Sequence, residues 1–232
     1  MSDTVEKIET TPCHYVPNVD KMYTYIRGYL VGAKMTQSIV ALQFAREKHK
    51  NQTRKNGVPY IVHPLSMVSY AIALNVSDDN IISTLLLHDV AEDCGIAIEN
   101  LPVNDTVKNA VKHMTVTKFD TDVNKIETKC RYFKNLLECK EALICKAFDR
   151  YDNLSDMAFS LTDDAIGKNA AETDILLLPV LKEAKEKWAE LSNILYALRT
   201  NIRRMNDVLK FHHMEEYEKW AKLYKRIPEQ NN

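Results

Sequence analysis

Glycine is scarce in this chain. It has five glycines in 232 residues, against a usual share of about 7%, so few turns needing a positive φ can be built and hairpin-rich all-β folds are disfavoured. Neither sign of charge is in excess. The 31 Lys and Arg face 32 Asp and Glu, a formal charge of -1, so no global field concentrates nucleic acid or an anionic membrane. The five cysteines are odd in number and include no Cys-x-x-Cys pair, which argues against a disulfide framework or zinc ribbon and for reduced thiols in a cytosol. The first residues, Met-Ser-Asp-Thr-Val-Glu-Lys, lack the basic-then-apolar order of a secretory signal. No Gly-rich phosphate loop, internal repeat or low-complexity tract is present. Residues 56–77 carry no charged side chain over a length able to span a bilayer. Gly57, Pro59, His63, Pro64 and Asn75 interrupt that stretch, so it reads as the lining of an interior site and no membrane association is expected.

What is present is 45% apolar and 27% charged side chains, ordinary for a soluble domain able to bury roughly 70% of its unfolded surface. Apolar residues recur at helical spacing over Val19–Ala33, then over a helix ending near His49, closed by a polar loop through Gly57. Pro64 suits a first helical position, and Ser77-Asp78-Asp79 reads as a cap before Ile81–Leu87. Gly95 breaks the chain before an amphipathic segment over Val103–Met114; Thr115–Val123 is loop-like, and helices are expected over Lys125–Glu138 and Lys140–Met157. A second loop is expected around Gly167, then an amphipathic run from Ala170 to about Lys225, bent or broken near Pro179. The expectation is a single all-α domain with a helical C-terminal extension. Arg199, Arg203 and Arg204 on that extension suit a surface helix or an oligomer contact better than nucleic acid.

Four segments place ligand-type residues in or beside apolar surroundings: Tyr60–Pro64, Thr84–Asp93, Ala147–Asn153, and the cationic loop Gln52–Lys55. In the second, His88 and Glu92 are four apart, as are Asp89 and Asp93, which on a helix makes two adjacent rows. Such groups following Leu85-Leu86-Leu87 are costly to bury unless a cation or hydrogen-bond donors compensate them. A divalent metal on His88 and Asp89 would leave Glu92 and Asp93 as acid/base groups, and His63 and Asp149 could complete the set. Nitrogen and oxygen ligands without thiolate suit Mn²⁺, Fe²⁺ or a similar ion better than a structural zinc. Asn153 lies one turn after Asp149, on the same face.

The order His63, His88-Asp89, Asp149 resembles the HD superfamily of metal-dependent phosphohydrolases. More narrowly, residues 38–182 resemble the alarmone hydrolase domain of RelA/SpoT-type enzymes, including small stand-alone hydrolases. The matching text is Ala45–His49, Gln52–Gly57, Pro59–Pro64, Leu86–Cys94, Met114–Lys118 and Cys145–Leu154. Cys94 stands where Thr is usual, and Phe148 and Asp152 differ from the commonest spelling. The resemblance implies an HD-domain helical bundle over 18–182; the residues themselves read as a polar lead-in at 1–17 and a helical extension at 183–232. It implies hydrolysis of guanosine tetra- and pentaphosphate to GDP or GTP plus pyrophosphate, with one Mn²⁺, in the cytoplasm. By position His63, His88, Asp89 and Asp149 would hold the metal, and Glu92 and Asp93 would activate water and transfer protons. Arg54 would pack on the base and Asn153 would lie near ribose and phosphates. Lys55, Lys118 and Arg150 would neutralise phosphate. The synthetase domain of the family is not expected after residue 182, because that stretch reads as helical and is too short to hold it.

Two rival readings stay open. One is an HD phosphohydrolase of another nucleotide, such as a 2′-phosphatase of NADPH. The other is a non-catalytic module binding a nucleotide or a partner. Individually, Arg54 and Lys55 also suit a solvated loop, Glu92 and Asp93 a hydrated helix end, and Arg150 an ion pair with Glu92 or Asp152. The expected partner is a small nucleotide, with a homo-oligomer possible.

Overall fold

The structure, a computed structural model, describes residues 17–55, 57–115 and 125–226. The lead-in before Pro17, and Lys118 with its loop, lie outside the described residues. The helices are α1 (Val19–Gly32), α2 (Thr36–Lys48), α3 (Val62–Ala73), α4 (Asp79–Leu87), α5 (Val90–Asp93), α6 (Asp105–Met114), α7 (Lys125–Asn135), α8 (Lys140–Ser160), α9 (Asp163–Glu172), α10 (Leu178–Lys187), α11 (Ser192–His212) and α12 (Met214–Lys225). A π turn at Thr173–Leu177 joins α9 to α10. Among the described residues there is no strand, only an isolated bridge between Thr53 and Pro59. The fold is all-α, as the glycine shortage and the periodicity predict.

Local chemistry sets the helix starts. Asn18, Asp78, Asn104 and Thr162 each accept a backbone N–H of the first turn they precede, satisfying donors that otherwise lack partners. α2 has no cap of its own. Instead the Asp79 carboxylate, on α4, accepts the Ser38 N–H at 2.9 Å and the Gln37 N–H at 3.2 Å. One acidic residue therefore caps a neighbouring helix and pins it to α4.

α4 sits at the centre. Every residue from Ile81 to Leu87 is buried, as expected of a helix apolar all round, and it packs on α2, α3, α6 and α8. Each such Leu or Ile contributes roughly 1.5–3 kcal/mol on burial. α11 lies along α8, and α12 along α9. None of the described helices is long and apolar enough to cross a membrane.

Four local expectations are corrected. The helix carrying His88 does not run on: α4 stops at Leu87, and His88-Asp89 form a turn before the single turn of α5, so the two rows are not laid on one helix. Pro64 is the third residue of α3 rather than the first, where its missing N–H still breaks no helical bond. Gly167 lies inside α9, not in a loop, and the break falls at Leu161-Thr162. A Cβ on Gly167 would lie 2.3 Å from the Glu216 Cβ and 2.7 Å from its backbone carbon; glycine there permits the close crossing of α9 and α12. The run from Ala170 is interrupted by the π turn, by Trp188–Leu191 and at His213, with Pro179 in the first turn of α10.

Candidate functional site

α3, the α4–α5 turn and α8 converge on one buried point. His63 and His88 are each 3% exposed, and Asp149 is 6% exposed. The His63 Nε2 atom is 3.3 Å from Asp149 Oδ1 and 3.7 Å from Asp89 Oδ2. The His88 Nε2 atom is 3.0 Å from Asp89 Oδ2 and 3.9 Å from Asp149 Oδ1. His63, His88 and Asp149 each offer a ligand atom within 4.8 Å of the others, and the Asp89 carboxylate faces both imidazoles.

A surrounding set of hydrogen bonds orients each of these groups. His88 Nδ1 donates to the Leu85 carbonyl at 3.0 Å, which leaves its Nε2 lone pair facing the cluster. That nitrogen is buried and has no hydrogen-bond partner. His63 Nδ1 lies 2.6 Å from Asp152 Oδ2, and since a carboxylate only accepts, the ring donates there. Asp149 takes Lys146 Nζ on Oδ2 at 2.7 Å and Asn153 Nδ2 on Oδ1 at 2.5 Å. The Tyr60 hydroxyl donates to Asp89 Oδ2 at 2.5 Å.

The charged groups of the cluster compensate one another. Burial alone would lower the His63 imidazole, but hydrogen bonds to Asp149 and Asp152 lift it to about 9. Burial opposes ionisation of Asp149, yet the Lys146 charge and the bond to His63 hold its carboxyl well below the usual range. Asp89 is likewise held low against burial, chiefly by His88. Burial, then Asp89, pushes the Tyr60 hydroxyl up. Both carboxylates are held ionised and so can serve as ligands, and the buried Nε2 of His88 has no hydrogen-bond partner. Two imidazole nitrogens and two carboxylates, without thiolate, fit a divalent cation.

A cavity of about 700 Å³ opens beside this point, a size suited to a small ligand. Arg54, Lys55, His63, Asp89, Asp149 and Asn153 line one part, and Lys129, Lys146, Arg150, Lys168, Asn169 and Glu172 another. Of the residues singled out in the sequence, Glu92 and Asp93 are exposed on α5 and are not among the lining residues. Arg150 pairs with Glu172 and donates to Asn169 Oδ1 at 3.0 Å; its partner is neither Glu92 nor Asp152. Arg54 is held by Asp152 and Asn153 of α8, at 2.9 and 2.8 Å. Cys94 is half-buried beside the Lys48 carbonyl and the His49 ring, each 3.7 Å from its sulfur, and burial raises its thiol.

Asp152, Lys146 and Tyr60 carry contacts to the candidate ligands that sequence reasoning did not assign. The available signal was spacing: Lys146 and Asp152 lie three residues either side of Asp149, hence on neighbouring parts of one helix face.

Residues 41–174 match the HD domain family. The chain is 32% identical over 123 residues to the guanosine-3′,5′-bis(diphosphate) 3′-pyrophosphohydrolase MESH1 of Xenopus tropicalis, covering 50% of this chain and 67% of the relative. It is 31% identical over 160 residues to a guanosine-3′,5′-bis(diphosphate) 3′-pyrophosphohydrolase of Aquifex aeolicus, covering 64% of this chain and 23% of the relative. A bifunctional (p)ppGpp synthase/hydrolase RelA of Mycobacterium tuberculosis is 30% identical over 165 residues, 68% of this chain and 22% of the relative. The chain thus spans under a quarter of the length of these two bacterial relatives.

Proposed function

The chain belongs to the HD domain family, and from that premise we propose that it is a metal-dependent hydrolase of guanosine 3′,5′-bis(diphosphate) and its pentaphosphate counterpart, releasing pyrophosphate from the 3′ position. The observation that carries this reading is the partnerless, buried Nε2 of His88, set among His63, Asp89 and Asp149 at the edge of a cavity whose walls also hold six Lys and Arg side chains, Arg54, Lys55, Lys129, Lys146, Arg150 and Lys168; Arg54, Lys129, Lys146 and Arg150 among them are paired with carboxylates. The names of the relatives agree with it.

In this proposal His63, His88, Asp89 and Asp149 hold the cation, which we take to be Mn²⁺. Such an ion, when bound, polarises a phosphate oxygen and lowers the pKa of water toward about 7. Lys146 keeps Asp149 ionised and occupies its second oxygen. Tyr60 and Asp152 orient Asp89 and His63. Glu92 and Asp93, on the turn after Asp89, are the proposed acid/base groups. Lys55, Lys118 and Asn153 are the proposed contacts to substrate, together with the flat face of Arg54 against the base. Arg150 is taken up by Glu172 and Asn169, so its proposed part is to shape the wall facing the phosphates. The proposed catalytic unit is 18–182, with 183–232 packed on it, in the cytoplasm.

The test is purified protein with Mn²⁺, offered guanosine tetraphosphate, NADPH and common nucleotides, with pyrophosphate measured separately from orthophosphate. Pyrophosphate release from guanosine tetraphosphate, abolished by chelator, is the expected result. Orthophosphate release from NADPH alone would replace this substrate with the 2′-phosphate reading.

A further inference from the structure

Arg54 sits at the neck of a tight turn. Its N–H donates to the Val58 carbonyl at 2.8 Å, and its own carbonyl accepts the Gly57 N–H at 2.9 Å, with Gly57 at φ 82°, where a side chain would be strained. The backbone is therefore fixed, and the guanidinium reaches across to α8. Three separate nitrogens meet three side chains there: Nη1 donates to Asp152 Oδ2 at 2.9 Å, Nη2 to Asn153 Oδ1 at 2.8 Å, and Nε lies 3.4 Å from Asp156 Oδ2.

Two of those partners go on to touch candidate metal ligands. The Asp152 oxygen that takes Arg54 is the same one that takes His63 Nδ1 at 2.6 Å. Asn153 turns its carbonyl to Arg54 and its NH₂ to Asp149 Oδ1 at 2.5 Å. A guanidinium has only donors and a carboxylate only acceptors, so Arg54 fixes which way the Asn153 amide points. The Asp149 carboxylate on the other side of the amide favours the same orientation, so Arg54 and Asp149 hold the Asn153 amide between them. The fork geometry matters because a planar guanidinium sets both directions at once, and an ammonium does not.

We propose that Arg54 is a positioning residue of the metal centre, orienting His63 through Asp152 and Asp149 through Asn153. This rests on the metal-site reading above but not on the choice of substrate. It adds to Arg54 a role separate from contact with a nucleotide base, and the two roles predict different measurements. Partners that orient metal ligands typically govern metal affinity by about 10–100-fold.

The experiment is titration of Mn²⁺ into the full, nucleotide-free chain, followed by the electron paramagnetic resonance of free Mn²⁺, for the wild type, Arg54→Met, Arg54→Lys and Asp152→Asn. Helical content is checked by circular dichroism. Arg54→Met and Asp152→Asn should each weaken Mn²⁺ binding by about 10–100-fold, and Arg54→Lys should recover part of the loss. Wild-type Mn²⁺ affinity in Arg54→Met would overturn the inference; should that variant lose its helices, wild-type affinity in both Arg54→Lys and Asp152→Asn would do the same. A wild-type protein that binds Mn²⁺ but leaves guanosine tetraphosphate intact would overturn the substrate reading and leave this one standing. Failure of the wild type to bind any divalent cation would overturn both.

Discussion

A buried polar atom without a partner costs about 1–3 kcal/mol, and His88 Nε2 is such an atom, with ionised carboxylates within 4 Å. A bound cation would remove that cost, so the metal should stabilise the fold as well as enable chemistry. Asp89 contributes the oxygen nearest to His88 Nε2, at 3.0 Å. Asp89→Ala should therefore abolish Mn²⁺ binding by calorimetry while far-UV circular dichroism stays helical; full metal affinity would remove Asp89 from the ligand set. Glu92→Gln should keep nucleotide affinity and lower turnover by about 10²–10⁴-fold, the usual scale of acid/base catalysis. Unchanged turnover would return Glu92 to a hydrated helix end. His63, His88, Asp89 and Asp149 were readable as candidate ligands because their residue types are rare in apolar surroundings and their order resembles a family pattern. Asp152 and Lys146 were not. On α8 they look like ordinary helix charges until the rotation of that helix against His63 and Asp149 is known.

Helices make the site by where they stop. α4 delivers His88 into the interior because it is apolar on every side, and its end at Leu87 turns His88 and Asp89 toward α3 and α8. The periodicity gave α4 but not its end, since no glycine or proline marks residues 88–89. α9 supplies Lys168, Asn169 and Glu172 to the cavity wall. Glu172 is buried between Arg150 and Lys129. Burial pushes its carboxyl up, but Arg150 and then Lys129 hold it net below the ordinary value. A lowered folded-state pKa contributes stability that is present above the unfolded value, about 4.3, and is lost as pH falls through the folded value. Glu172→Gln should therefore flatten the acid side of a stability-versus-pH curve from denaturant unfolding. It should also cost up to about 3–5 kcal/mol at neutral pH, where two cations are left uncompensated. A mutant curve parallel to wild type below pH 4 would contradict the pairing.

Across the whole molecule, the shortage of glycine and the helical spacing were enough for an all-α fold, because both act locally. The crossing of α9 and α12 was hidden for the opposite reason. Gly167 looked like a loop because glycine costs a helix about 1 kcal/mol, and the backbone that needs its missing side chain lies about fifty residues further on, at Glu216. Gly167→Val should force α12 off α9, costing about 1–3 kcal/mol or more. Trp220, whose ring NH reaches Asp164 at 3.1 Å while Lys168 lies 4.8 Å from its centroid, reports that contact by fluorescence; an unaltered spectrum and melting point would contradict the close crossing. At this scale α11 and α12 back the cavity without lining it, since α11 packs on α8 and α12 on α9, the two helices that carry most of the cavity.

The central claim is that four side chains from three places in the sequence hold one divalent cation. Anomalous diffraction at the manganese edge, from crystals grown with Mn²⁺, tests it most directly. The account predicts a single strong peak within ligand distance of His63 Nε2, His88 Nε2 and the Asp89 and Asp149 carboxylates. A peak elsewhere, or none at saturating Mn²⁺, would contradict it.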